Sequence, residues 1–124
     1  MAKSTHNDVI DAMLNYIKDN ATRMVACSTE PTTYTEANST YALADVTIAD
    51  TDFTIGDGDV SGRKATVAAK NSVPIDTSGT FAHVALLDVA NTKLLYVTTG
   101  TNQALVGGGT ADFPAWDIEI ADPS

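Results

Sequence analysis

Cysteine is almost absent from this 124-residue chain. Cys27 stands alone, which excludes an intrachain disulfide and any metal site built from several thiolates. Aromatic residues are only 6%, which weighs against the exposed rings that a carbohydrate-binding site usually shows. Basic residues are scarce as well: Lys plus Arg is 7 against 16 for Asp plus Glu, a net charge of −9. A chain this acidic repels phosphate backbones and anionic bilayers, so neither nucleic acid nor a membrane is expected as partner. No apolar run approaches the ~20 residues that span a bilayer as a helix. The opening Met1-Ala2-Lys3-Ser4-Thr5-His6-Asn7-Asp8 turns polar at once and lacks the pattern of a cleaved signal, so synthesis in the cytoplasm is expected.

What is abundant points to short strands. There are 18 Thr, 18 Ala and 13 Asp, but 3 Glu. Threonine is stiff at χ1 and suits strands, whereas Asp favours turns and caps over helix interiors. Apolar residues at 44% and charged residues at 19% are globular proportions. One domain over residues 1–124 is expected, with no linker and no repeat.

One helix is expected, at about residues 6–19. Val9, Ile10, Met13, Leu14 and Ile17 fall on one helical face. Thr5 with Asp8 three residues on resembles a capping box, and Lys18 and Asn20 suit the last turn and the stop. After Asn20 the period becomes two, giving a β-sandwich region at about 22–121. Met24 and Ala26 alternate with Val25 and Cys27, and Tyr41–Ala49 alternates in the same way. Tyr34–Thr40 is polar and is read as loop. Phe53 with Ile55, Ala65 with Val67 and Ala69, and Trp116 with Ile118 and Ile120 mark further strands. Phe81–Val89 reads as a central strand, joined through Asn91-Thr92 to a hairpin partner at 93–99. Gly56-Asp57-Gly58-Asp59 and Gly107–Gly109 are turn signals. About seven short strands with regular turns predict a mainly β fold, an antiparallel sandwich or barrel with one N-terminal amphipathic helix. That helix must bury its stripe over an open end of the sheets or on a neighbouring subunit.

Chemistry-bearing patterns are few. Asp57, Asp59 and Ser61, followed by Gly62, match the first half of a calcium loop. The twelfth loop position, which should supply a bidentate Glu, is Ala68, and Arg63 and Lys64 bring positive charge. A hairpin turn whose acids cap backbone N–H groups fits better than a metal site. Cys27 and His83 suggest a nucleophile and base only in the abstract, and a small buried thiol is the ordinary reading. Gly107-Gly108-Gly109-Thr110 lacks the Lys of a phosphate loop, and no nucleophile elbow occurs. No catalytic residue, cofactor or enzyme activity is expected. Val9, Ile10, Met13, Leu14, Ile17 and Trp116 are the candidates for an interface, with packing of the helix on its own sheet favoured.

Longer runs carry a resemblance. Cys27-Ser28-Thr29-Glu30-Pro31-Thr32-Thr33-Tyr34-Thr35-Glu36-Ala37 is one, and Asp52-Phe53-Thr54-Ile55-Gly56-Asp57-Gly58-Asp59-Val60-Ser61-Gly62-Arg63-Lys64 another. His83-Val84-Ala85-Leu86-Leu87-Asp88, Leu95-Tyr96-Val97-Thr98-Thr99 and Pro114-Ala115-Trp116-Asp117-Ile118-Glu119-Ile120-Ala121-Asp122-Pro123 complete the set. Together, over nearly the whole chain, they resemble a family of small virion structural proteins of tailed bacteriophages. The resemblance implies a non-enzymatic virion component, most economically a capsid decoration or cement protein on the head exterior, assembled in the host cytoplasm. Its partners would then be the major capsid protein and its own copies, with a homotrimer at local threefold positions expected. A neck, collar or fibre-base protein is the alternative, followed by a virion adhesion module.

Overall fold

The computed structural model describes residues 6–120. The predicted helix is α1, Asn7–Asn20. Its N-cap is His6, whose Nδ1 accepts from the Asp8 amide at 3.1 Å, and Asp8 sits at the positive end of the helix dipole. The capping role given to Thr5 lies outside the described residues. The chain then forms β1 (Arg23–Cys27), β2 (Ala42–Thr47), β3 (Phe53–Asp57), β4 (Arg63–Val67) and β5 (Lys70–Pro74). The remaining strands are β6 (Gly79–Asp88), β7 (Lys93–Leu105), β8 (Thr110–Phe113) and β9 (Trp116–Ile120).

All pairings are antiparallel. One sheet runs β2-β1-β6-β7, a second β3-β4-β9, and β5-β8 form a two-stranded ribbon. No closed barrel forms among the described residues; the architecture is sandwich-like. The main core holds Met24 and Ala26 from β1, Val84 and Leu86 from β6, Phe53 from β3, Ala65 and Val67 from β4, and Ile118 from β9. Strand alternation puts these on the facing sides of the two larger sheets. Full burial of a Met or Leu side chain stabilises by about 1.5–3 kcal/mol, so this layer dominates stability.

The helix closes onto this core. Ile10 and Leu14 are buried in it, with Ile17 packed beside them, and α1 lies against β3 and β4. Arg63 on β4 fixes the docking: its Nε donates to Asp11 Oδ1 at 2.8 Å and its Nη1 to Asp57 Oδ1 at 2.7 Å. The apolar stripe is therefore split. Val9 and Met13 stay 55% and 48% exposed, because the inward line is 10-14-17 and the line 9-13-16 falls to its side.

The opposite face of the four-stranded sheet is also covered. Val25, Cys27, Ala85 and Leu87 form a smaller cluster with Ala37, Tyr34 and Tyr41. Residues 34–40, expected as loop, contain a wide helical turn, Glu36–Thr40, that seats Ala37 on this face. The turn is held by polar contacts. Glu36 Oε1 accepts from the Thr32 amide and hydroxyl, first among the effects that lower its pKa. With one buried apolar residue it leaves no periodic trace.

Three other expectations change. β5, Lys70–Pro74, lies where the alternating pattern marks no strand. A bulge at Lys70–Val73, with Ser72 at φ 56°, breaks the alternation there. The strand after Asn91-Thr92 runs on from Thr99 to Leu105, past a second bulge opposite Phe81–His83. Ala69 is exposed beyond the end of β4.

A 3₁₀ turn, Asp50–Asp52, leads into β3, and Asp52 ties it down. Its Oδ2 accepts from the Ala49 amide at 2.9 Å and its Oδ1 pairs with Lys70 Nζ at 2.9 Å. Burial alone would raise the carboxyl's pKa, but the bonds from Lys70 and Ala49 and the Lys70 charge outweigh it and leave the pKa lowered. A carboxyl depressed in the folded state stabilises above its ordinary value of about 3.9, and that contribution is lost as pH falls through the folded value. Thermal melts from pH 6 to pH 3 should show Asp52→Asn losing less stability than the parent over the acid limb. Identical slopes for the two proteins would sink this assignment.

Candidate functional site

The Asp57–Gly62 hairpin tip is laced by ion pairs. Asp57 Oδ1 accepts from Arg63, and Asp59 Oδ1 accepts from Lys64 Nζ at 2.7 Å. The Asp59 amide in turn donates to Glu119 Oε1 at 2.7 Å. Lys64 also reaches Asp117, whose Oδ1 takes the Thr66 hydroxyl at 2.8 Å. These contacts raise the Lys64 pKa, the Asp59 hydrogen bond contributing most. Ser61 lies at the tip, where its carbonyl blocks the position a Cβ on residue 58 would take; this is why the turn needs Gly58. Among the described residues, His, Cys, Asp and Glu nowhere gather in threes with ligand geometry. The carboxylates of the half calcium loop are already engaged by cations.

Cys27 and His83 are cross-strand partners in the β1–β6 register. Antiparallel partners share a sheet face, so the two side chains are neighbours. Their chemistry runs against nucleophilic catalysis. The Cys27 thiol is fully buried, donates to the Ala37 carbonyl at 3.7 Å, and has its pKa pushed up by burial to about 11. Only the thiolate attacks. At pH 8 the folded protein should react with iodoacetamide at least about a hundredfold slower than free cysteine, and reach full labelling once unfolded in guanidinium. Rapid labelling of the native state would show the thiol accessible. His83 Nδ1 is buried with no hydrogen-bond partner among the described residues.

The remaining candidates divide by place. Ile10, Leu14 and Ile17 belong to the core. Val9 and Met13, with Tyr16 at 49% exposure, form an apolar line along the outer side of α1. Tyr16 Oη accepts from Lys93 Nζ at 3.3 Å, which links this line to the start of β7. Spacing of i, i+4 and i+7 makes the three side chains adjacent on the helix surface. Helical periodicity groups Val9 and Met13 with the buried stripe, and the hydroxyl of Tyr16 keeps it out of an apolar count.

Trp116 is half-buried on β9 and stacks on Tyr96 of β7, with ring centroids 6.0 Å apart and planes at 24°. It therefore bridges the two larger sheets at their edge. Beside it lies a feature that no local motif marks. A cleft of about 320 Å³ opens between β7 and the β8–β9 segment, lined by Phe81, Leu105, Phe113 and Trp116 among others. Its residues come from five strands, so only the fold assembles them.

Comparison with family models, curated proteins and solved structures finds no match to this chain.

Proposed function

We propose that this chain is a non-enzymatic structural protein of a tailed-phage virion, a capsid decoration or cement protein that binds the outer head lattice. The resemblance noted above supplies the class. The observation that carries the role is the two-sided helix: Ile10 and Leu14 anchor α1 in the core, while Val9, Met13 and Tyr16 line its water-facing side. A rigidly mounted, exposed apolar line rimmed by charge has the character of a contact surface.

Size sets how such a surface can work. Three side chains fall far short of the ~800 Å² per partner of a standard stable interface. One contact would be weak, and a homotrimer presenting three of them to a repeating lattice would be retained by avidity. The excess of 16 acidic over 7 basic residues suits a position outside the shell, away from packaged DNA.

The test is co-sedimentation of the purified protein with heads prepared without it. Saturable pelleting, competed by unlabelled protein, is the expected outcome. Protein that stays in the supernatant at every concentration contradicts the proposal.

A further inference from the structure

The four-stranded sheet has one covered edge and one bare edge. Along β2, the Leu43 carbonyl accepts from the Asp76 and Thr77 amides and Ala44 bridges to Ile75, so the chain itself closes that side. β7 ends the other side, with no further strand beside it among the described residues. An unpaired edge is a template for another strand, and proteins blunt such edges with charge, proline or brevity. The shorter strands follow that rule: β9 has five residues and carries Asp117 and Glu119, and β5 carries Lys70 and Pro74. β7 has 13 residues and only Lys93 at its start. From Leu94 to Ala111 the sequence has neither charge nor proline, the longest such run in a chain of net charge −9.

Hollows flank this edge on both faces. Val84 and Leu86 belong to the main core, so their partners Thr98 and Tyr96 face that side, and Val97 and Thr99 face the other. On the core side lies the 320 Å³ cleft, bordered by Thr98, Thr99 and Gly100. On the other lies a second hollow of about 290 Å³, bordered by Glu30, His83, Val97 and Thr99.

From this juxtaposition we infer that β7 is a two-fold interface: its edge pairs antiparallel with the same edge of a second copy, joining two four-stranded sheets into one. A strand edge paired with itself about a two-fold axis is self-complementary. Acidic copies repel one another, and along this edge two copies meet without placing carboxylates together. Side chains of an added strand alternate between faces, so the second copy's Tyr96–Thr99 stretch supplies groups to both hollows. Bulges opposite Phe81–His83 and Leu86–Leu87 bracket Tyr96–Thr99. They confine regular pairing to that stretch, which favours one finite pair over a growing stack. The inference stands apart from the virion reading, because Val9, Met13 and Tyr16 lie outside the stretch. A homotrimer built on another surface is compatible with a two-fold contact that joins copies of different trimers.

The test is sedimentation equilibrium of the purified protein, with amide hydrogen exchange at low and high concentration. The expected mass is an even multiple of 13.0 kDa, a dimer or, where trimers also form, a hexamer. β7 amides should exchange more slowly at high concentration, a readout that needs no variant. Thr99→Lys with Thr101→Lys puts like charges on both facing edges. Both residues are exposed, so the far-UV circular dichroism should hold while the mass halves and association weakens at least about tenfold. A monomer or a lone trimer up to about 1 mM, a mass that the folded Lys variant leaves unchanged, or concentration-dependent protection that spares β7 overturns the inference.

Discussion

Leu14→Asp is expected to leave the chain unfolded at 25 °C, whereas Met13→Asp, one residue earlier, is expected to fold and melt within a few degrees of the parent. Leu14 is fully buried and Met13 is 48% exposed. Leu14 packs in the same cluster as Met24, Ile48 and Leu86. Truncating such a leucine to alanine costs about 2–5 kcal/mol through lost transfer energy and the cavity left behind. A carboxylate adds the desolvation of an unpaired charge, several kcal/mol more. The sum approaches the whole stability of a small domain, about 5–15 kcal/mol. Circular dichroism at 25 °C and a urea titration read the contrast. Equal stability of the two variants would mean that α1 does not pack as described.

Val9→Ser combined with Met13→Ser is expected to do the opposite: preserve the fold and remove attachment to heads. Neither side chain is in the core, so the melting temperature should hold. If attachment buries the exposed parts of both, each loses roughly 1 kcal/mol of apolar transfer, about 2 kcal/mol per subunit. That is a factor of about 30 at one contact, and a trimer bound through three contacts multiplies it. Retention on heads through a density gradient should fall from near saturation to background. A folded double variant that still binds heads at parental affinity would remove α1 from the interface. Binding would then have to use another surface, the cleft beside Trp116 being the next to test.

The contrast between Leu14 and Met13 also shows what was legible in the residues. The 3.6-residue period located α1 to within one residue at each end, because five apolar side chains repeat on one face. It did not reveal that β4 admits only the 10-14-17 line, since the width of the receiving groove is a property of Ala65 and Val67 on a distant strand. The two-residue period placed β1, β6 and β9 well, where one or both faces are covered. It failed at β5 and past Thr99, where bulges shift which side chains point inward. The turn at Glu36–Thr40 was hidden because polar side-chain bonds hold it. Asp57 and Asp59 were recognisable as turn acids, whereas Arg63 and Lys64, read only as charges that would repel a cation, are their ion-pair partners six and five residues further along. The cleft was not legible at all. Phe81, Leu105, Phe113 and Trp116 are spread over 36 positions, and only strand pairing brings them together.

The most direct test of the proposed role is quantitative mass spectrometry of purified phage particles in which this chain is proposed to reside, normalised to the major capsid protein. Decoration of the whole head predicts a copy number comparable to that of the capsid protein. A copy number near that of the portal or a fibre would move the protein to the neck or tail, and complete absence from particles would contradict a structural role in the virion.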